Sequence, residues 1–224
     1  MGDPHDDRPQ VDLAGLREEY AAGGLEESDL LPDPIAMFER WFAEARAAGV
    51  HEPNAMVVAT VSPSGQPSSR FVLLKGVGPD GFRFFTNLAS RKGADLAENP
   101  RCALLFPWHP LERQVRVEGV ATALSRADVE AYFAVRPRGS RLGAWASHQS
   151  QVVAGREELS GAYAAVEDRF ADVPDDELGP PDEWGGYLVR PDVVEFWQGR
   201  PGRMHDRLVY TRTPDAWTTH RLAP

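Results

Sequence analysis

Trp197, Arg203, His205 and Arg207 fall within eleven residues, in the segment Glu195-Phe-Trp-Gln-Gly-Arg-Pro-Gly-Arg-Met-His-Asp-Arg207. An aromatic plane, two guanidiniums and an imidazole at that spacing suit a flat, anionic, redox-active ligand better than a packed core. Guanidinium is planar and permanently charged, and it stacks on rings or forks onto phosphate and carbonyl oxygens. A surface strand ending in a polar hairpin is the plainer account. A second group is Thr86-Asn-Leu-Ala-Ser-Arg-Lys92. Ser90 there is placed to cap a helix, which puts Arg91 and Lys92 in its first turn. Cations at that end oppose the helix dipole, so the arrangement costs stability unless an anion sits there. The pattern reads as a phosphate site. A third group, Arg136-Pro-Arg-Gly-Ser-Arg141, ends the helix bearing Tyr132. Helix C-termini attract cations in any case, so a structural role competes there. Two candidate phosphate sites point to two small phosphorylated ligands. The strand Arg70-Phe-Val-Leu-Leu-Lys75 alternates, with Arg70, Val72 and Leu74 on one face and Phe71, Leu73 and Lys75 on the other. Solvated strand ends are the simpler account of its two cations.

The composition narrows what these groups can serve. The chain has 224 residues and a net charge of −10, which argues against general binding to nucleic acid or anionic membranes. No apolar run approaches the ~20 residues needed to cross a bilayer. Met1-Gly-Asp-Pro-His-Asp-Asp7 is acidic and shows no secretory signal. The single cysteine, Cys102, excludes an internal disulfide and fits a reducing cytoplasm. Arginine carries nearly all the positive charge, and Lys75 and Lys92 are the only two lysines. The six histidines are scattered without metal-ligand spacing, so no metal is expected. No G-x-S-x-G or P-loop occurs. Gly76-Val-Gly-Pro-Asp-Gly81 satisfies G-x-G-x-x-G, but a strand follows it where a dinucleotide site needs a helix. It reads as a hairpin loop.

The elements that must position these residues can be read from periodicity. Residues 1–10 form an acidic, disordered tail, and 11–224 make a single domain that opens with helices. Leu13, Leu16 and Tyr20 sit at helical spacing. Asp33-Pro34 opens a second helix with Ile35, Phe38, Trp41, Phe42 and Ala45 on its apolar face. Strands follow over 55–62, 69–77 and 82–86, then a helix over 90–98, and strands over 102–107 and 114–124. Ser125 begins a helix carrying Val129, Tyr132 and Phe133, with further helical patterns over 142–146 and 156–170. The acidic stretch 172–183 is a loop, and final strands cover 186–189, 193–197, 208–211 and 217–222. Tight turns between strands predict an antiparallel sheet closing into a barrel with flanking helices, a mainly β, α+β chain.

Taken together, Arg70–Lys75, Phe84-Phe-Thr-Asn87, Ser90-Arg-Lys92, Leu105-Phe-Pro-Trp-His109, Glu112-Arg-Gln-Val115, Arg136-Pro-Arg138, Gln149-Ser150, Glu195–Gly199, Arg203–Arg207 and Arg221-Leu-Ala-Pro224 resemble the pyridoxamine 5′-phosphate oxidase family, in order, from about Leu13 to the last residue. The resemblance implies an antiparallel split β-barrel of the FMN-binding type, homodimeric, with FMN at the subunit interface. It implies FMN contacts from Arg70, Phe71, Val72, Leu73, Leu74, Lys75, Phe85, Thr86, Arg91, Lys92, Gln114, Gln149, Ser150, Trp197 and Arg207. The substrate, pyridoxamine or pyridoxine 5′-phosphate, would be held by Arg17, Tyr20, Lys75, Tyr132, Arg136, Ser140, Arg203, Met204 and His205. Arg203 and His205 are the implied catalytic pair. The implied reaction yields pyridoxal 5′-phosphate, with O2 consumed and H2O2 released, plus NH3 from the amine. A related flavin or deazaflavin oxidoreductase, or a non-catalytic flavin or pyridoxal phosphate carrier, are the other classes to separate. Phe85 stands where the family has tyrosine, Glu18 where it has a basic residue, and the hairpin tip Arg200-Pro-Gly202 is particular to this chain.

Overall fold

A computed structural model describes residues 19–21 and 23–224. The expected tail, and Leu13 and Leu16 of the expected first helix, lie outside the described residues. Tyr20 lies within them, in a segment without regular structure.

Helix α1, Pro34–Ala47, starts as its sequence requires. The Asp33 side chain accepts hydrogen bonds from the Ile35 and Ala36 amides, and Pro34 occupies the first turn. Its buried face, with Ile35, Phe38 and Trp41, packs into the barrel core. The Phe38 ring lies 4.7 Å from Phe106 and 5.0 Å from Phe82, and Trp41 meets Phe196 edge-on at 5.2 Å. Side chains of this size stabilise the fold by about 1.5–3 kcal/mol each when fully buried.

The strands are β1 (Ala55–Val61), β2 (Pro67–Leu73), β3 (Gly76–Gly78), β4 (Gly81–Asn87), β5 (Arg101–Trp108), β6 (Arg113–Ala123), β7 (Trp184–Gln198), β8 (Asp206–Arg212) and β9 (Trp217–Arg221). Every pairing is antiparallel, in the order β2-β1-β5-β6-β7-β4-β3, with β8 on β7 and β9 on β8. With helices α2 (Arg91–Glu98), α3 (Arg126–Ala134), α4 (Arg138–Ala146) and α5 (Arg156–Arg169), five α-helices flank the sheet among the described residues. Among the described residues, no helix is long and apolar enough to cross a membrane.

Two expected strand boundaries change, and both changes shape the barrel. The run expected over 69–77 is two strands. The Leu74 amide bonds Asn54 O at 2.8 Å, while the Lys75 amide bonds Arg83 O at 2.8 Å. The chain therefore steps at 74–75 from one end of the sheet order to the other, with no ladder joining β2 to β3 among the described residues. Conversely, the strands expected over 186–189 and 193–197 are one, β7, fifteen residues long. Its first half pairs with β4 and its second half with β8, so the sheet forks at residues 190–192. Pro191 is tolerated because no second partner there needs its missing amide proton. Opposite it, the β6 register shifts between Glu118 and Gly119, and a Cβ on Gly119 would lie 2.2 Å from Arg190 O. Sequence alternation sees the proline and the bulge as a break, whereas the backbone passes through. The G-x-G-x-x-G segment is the β3–β4 hairpin, as its turn chemistry predicts.

Candidate functional site

A cleft of ≈ 1170 Å³ opens between β2, β4 and the α3–α4 helices. It is lined by Arg70, Phe71, Val72, Leu73, Lys75, Phe85, Thr86, Arg91, Lys92, Gln149 and Ser150 of the expected FMN contacts. Tyr132, Arg136 and Ser140 of the expected substrate contacts line it too. Among its described lining residues are five cations, Arg70, Lys75, Arg91, Lys92 and Arg136, and no carboxylate. On a chain of net charge −10, that segregation builds a local positive potential suited to anions.

One end of the cleft is organised by α2. Ser90 caps it, accepting from the Gly93 amide, and Lys92 in its first turn folds back into the protein. The Lys92 ammonium donates to Gln149 Oε1 at 2.6 Å, Thr86 Oγ1 at 2.9 Å and Ser90 Oγ at 3.1 Å. The residue is only 7% exposed. Burial, with the Arg70 charge adding to it, brings its pKa down to about 8. The Arg91 amide donates to Ser150 Oγ at 3.2 Å, which ties the loop after α4 to the start of α2. Ser150 has a left-handed φ of 74°. Arg70 is also pulled below its usual value, mainly by burial, with Asp95 opposing and Arg91 adding to the fall.

The other end is aromatic. Phe85, Tyr132 and Trp184 lie nearly parallel, with Phe85 and Tyr132 stacked at 3.9 Å and Phe85 and Trp184 at 5.4 Å. Gly186 permits this approach, since a Cβ there would lie 2.8 Å from Phe85 Cδ1. The Arg136 guanidinium sits 4.7 Å above the Trp184 ring, and its buried Nη1 has no hydrogen-bond partner. Burial lowers the Arg136 pKa. A buried, unpartnered guanidinium nitrogen is expensive unless an anion completes it. Arg138 and Arg141, from the same basic cluster, instead hold the loop after α5: Arg138 donates to Phe170 O and Val173 O, and both pair with Asp175. Only Arg136 of those three arginines serves the cleft.

The remaining expected residues assemble elsewhere in the protomer. Gln114 on β6 faces Trp197 on β7, and Trp197 faces Arg207 on β8, so the three form one row across the sheet. Glu195, 5% exposed, accepts from Arg207 Nε at 2.8 Å, Arg207 Nη2 at 3.1 Å and Arg116 Nη1 at 2.8 Å. That fork holds the Arg207 plane. The His205 ring lies 4.7 Å from Trp197, tilted by 41°, and Tyr20 meets both rings edge-on at 5.8 and 5.5 Å. The Arg200 amide donates to His205 Nδ1 at 3.1 Å, which leaves Nε2 to carry the proton of the neutral ring. Arg203 and Met204 are exposed beside it, and Arg203 takes a left-handed φ of 63°. Such a conformation in a non-glycine residue costs of order 1–3 kcal/mol and tends to persist where function requires it. None of Gln114, Trp197, Arg203, Met204, His205 or Arg207 lines the cleft.

Leu74 differs from its neighbours: its side chain is in the core, 7% exposed, so any contact with a ligand would come from its backbone. Arg17 and Glu18 lie outside the described residues. Sequence reasoning missed Trp184, whose place beside Gly185-Gly186 at the start of a strand was the available signal. It also gave no role to Glu195, a carboxylate in an apolar strand.

The residues present fit a planar phosphorylated group. The charged side chains lining the cleft are all cationic, one buried guanidinium nitrogen is unpartnered, and part of the wall is aromatic. Comparison with known proteins agrees. A family profile described as pyridoxamine 5′-phosphate oxidase matches residues 42–170, and one described as the pyridoxine 5′-phosphate oxidase C-terminal dimerisation region matches 184–224. The chain is 68% identical to a pyridoxine/pyridoxamine 5′-phosphate oxidase of a Nocardioides species, covering 96% of this chain and 99% of the relative. It is 55% identical to the protein of the same description from Rubrobacter xylanophilus, covering 95% and 97%. The structure resembles PhzG from Burkholderia lata 383, solved with tetrahydrophenazine-1-carboxylic acid, at TM-score 0.84 and 31% identity over 91% of this chain and 99% of that one. It shares its fold with a pyridoxamine 5′-phosphate oxidase-related, FMN binding protein from Nostoc punctiforme, at TM-score 0.69 and 20% identity over 87% and 100%. Split barrel, cationic cleft and near full-length identity converge, and the chain belongs to the pyridoxamine 5′-phosphate oxidase family of oxidoreductases.

Proposed function

We propose that the protein oxidises pyridoxamine 5′-phosphate and pyridoxine 5′-phosphate to pyridoxal 5′-phosphate, with FMN as cofactor and O2 as final acceptor. Hydrogen peroxide is the co-product, together with ammonia when the substrate is the amine. The observation that carries this reading is the cleft itself. Two cationic groups line it, Arg70, Arg91 and Lys92 around the start of α2 and Arg136 over the aromatic stack, on an otherwise acidic protein. FMN, when bound, supplies the two-electron acceptor. Lys92, Arg91, Arg70 and Ser150 would hold its phosphate, each charged hydrogen bond contributing about 1.5–3 kcal/mol. Arg136, with Ser140, Tyr132 and Lys75, would hold the substrate phosphate.

A second copy of the chain supplies the face carrying Gln114, Trp197 and Arg207, with Arg203 and His205 at its edge. Two features support this: the face does not line the cleft of its own protomer, and it lies largely within the segment that matches a dimerisation region. Phe71, 68% exposed, and Leu73, 37% exposed, sit on edge strand β2 beside the cleft, apolar surface that a partner would cover. His205 then offers an Nε2–H donor to the substrate, and Arg203 brings a cation to the substrate ring. Their shared task is to fix the C4′ carbon against the acceptor and exclude water from it. The lone buried thiol of Cys102 fits a cytoplasmic setting.

The test is anaerobic mixing of the flavin-loaded protein with each substrate. Loss of the flavin's visible band, then its return with peroxide on admitting oxygen, is the expected result. A band that persists with both substrates makes the protein a carrier, and a purified protein that binds a deazaflavin instead of FMN moves it to another branch of the fold.

A further inference from the structure

Behind the cleft lies a buried acid that neither the family resemblance nor the cleft lining assigns. Asp95, on α2, is 4% exposed, and Thr60, on β1, is fully buried. Thr60 Oγ1 donates to Asp95 Oδ2 at 2.7 Å. Arg70 Nη1 donates to the same Thr60 oxygen at 2.8 Å, and to Val58 O at 3.3 Å, while Arg70 Nη2 donates to Ser68 Oγ at 2.7 Å. A hydroxyl has one proton. With that proton committed to Asp95, the Thr60 oxygen can only accept from Arg70, so the carboxylate sets the direction of the whole relay.

We infer that Asp95 and Thr60 are positioning residues that aim the Arg70 guanidinium at the phosphate end of the cleft, an inference that rests on the FMN reading above. Thr60 and Val58 occupy Nη1, and Ser68 takes one Nη2 hydrogen. Among the described residues this leaves Nε and the second Nη2 hydrogen for an incoming oxyanion. The negative charge of Asp95 also opposes the effect of burial on the Arg70 guanidinium, beside Arg91 and Lys92. The acid stays out of the cleft, so it orients the cation without repelling the ligand directly.

The test compares FMN with riboflavin, which has the same ring system and no phosphate. Apoprotein carrying Thr60→Val, Thr60→Ser or Asp95→Asn is titrated with each flavin, following the quenching of flavin fluorescence. The relay acts on the phosphate alone. Thr60→Val and Asp95→Asn should therefore weaken FMN about tenfold and riboflavin less than about twofold, the loss of one hydrogen bond that orients a charged donor. Thr60→Ser, which keeps the hydroxyl, should restore the wild-type ratio. Equal losses for both flavins, an unchanged FMN affinity, or a Thr60→Ser protein that behaves like Thr60→Val would each overturn the inference. Should Thr60→Val not fold, Asp95→Asn tests the same ratio and decides the question alone. Wild-type protein that binds neither flavin would overturn the cofactor reading itself, a result distinct from wild-type binding that the variants leave intact.

Discussion

Replacing Lys92 with methionine separates cofactor binding from folding, because the ammonium has opposite effects on the two. Its three partners, at 2.6 to 3.1 Å, keep the buried charge tolerable, and methionine fills similar space without it. Gln149 Oε1 keeps a donor in Thr86 Oγ1 at 3.2 Å, so apoprotein stability should move by less than about 1 kcal/mol, since replacing a buried charge with packed apolar atoms is often neutral. A phosphate oxygen would replace one of those three partners, so the variant should cost FMN a charge-assisted hydrogen bond of about 1.5–3 kcal/mol, which raises Kd roughly 10- to 150-fold near pH 7. The pH dependence gives an independent check. The folded apoprotein holds Lys92 at about 8 against an ordinary 10.5, so the fold disfavours its protonated form. That penalty is fully present below about 8 and fades as the pH rises to 10.5; this group therefore makes the apoprotein more stable across that window. FMN needs the proton, so its affinity falls over the same window, by up to about tenfold per pH unit. Wild type and Lys92→Met should converge in Kd near about pH 9.5, where most of the wild-type lysine is neutral. A Lys92→Met protein that binds FMN within about twofold of wild type near pH 7, or a wild-type Kd that stays flat as the pH rises, would refute the assignment.

Arg136→Met should raise KM for both phosphorylated substrates by about 10- to 100-fold with FMN affinity unchanged, because its free Nη1 serves the other end of the cleft; steady-state kinetics with a flavin titration read both. Arg203→Ala should lower kcat far more than FMN retention, and a variant with normal kcat/KM would remove Arg203 from the reaction. Arg221 donates to Glu27 Oε1 and Oε2, Asp206 Oδ1 and Leu25 O, clamping the segment before α1 onto β8 and β9. Arg221→Ala should therefore speed amide exchange over residues 23–29 with little change in the barrel core. The same pairing holds the Glu27 carboxyl down at about 2 against 4.5, so the clamp is intact above 4.5 and is released as the pH falls through about 2. Exchange measured down an acid series should show the clamp loosening before the barrel does.

How much of this was legible depends on the range over which each residue's partner lies. Caps and turns were plain, because Asp33, Ser90, Ser125 and the β3–β4 hairpin act within three or four residues of themselves. The phosphate signal at Arg91 and Lys92 was plain for the same reason: a cation in the first turn of a helix is a local anomaly. Arg136 could not be told from Arg138 and Arg141, since what separates them is the loop after α5, more than thirty positions away in sequence. Asp95, Thr60 and Arg70 lie on three elements and share no spacing, so no periodicity links them. The row Gln114, Trp197, Arg207 exists only because β7 runs unbroken through Pro191, and the proline argued locally for two strands. If a second subunit completes the cleft as proposed, that unbroken strand joins the two halves of the site. Its first residue, Trp184, lines the cleft beneath Arg136, while Glu195 and Trp197 at its far end belong to the face that a second subunit would bring. On that reading, shortening the strand should uncouple the two. Deleting Asp192, the residue left unpaired at the β6 bulge, flips the pleat of everything beyond it. Glu195 and Trp197 would then point into the core. The deletion should abolish dimer formation and FMN binding together, while the Lys92→Met protein, which leaves the strand intact, should lose FMN affinity and remain a dimer.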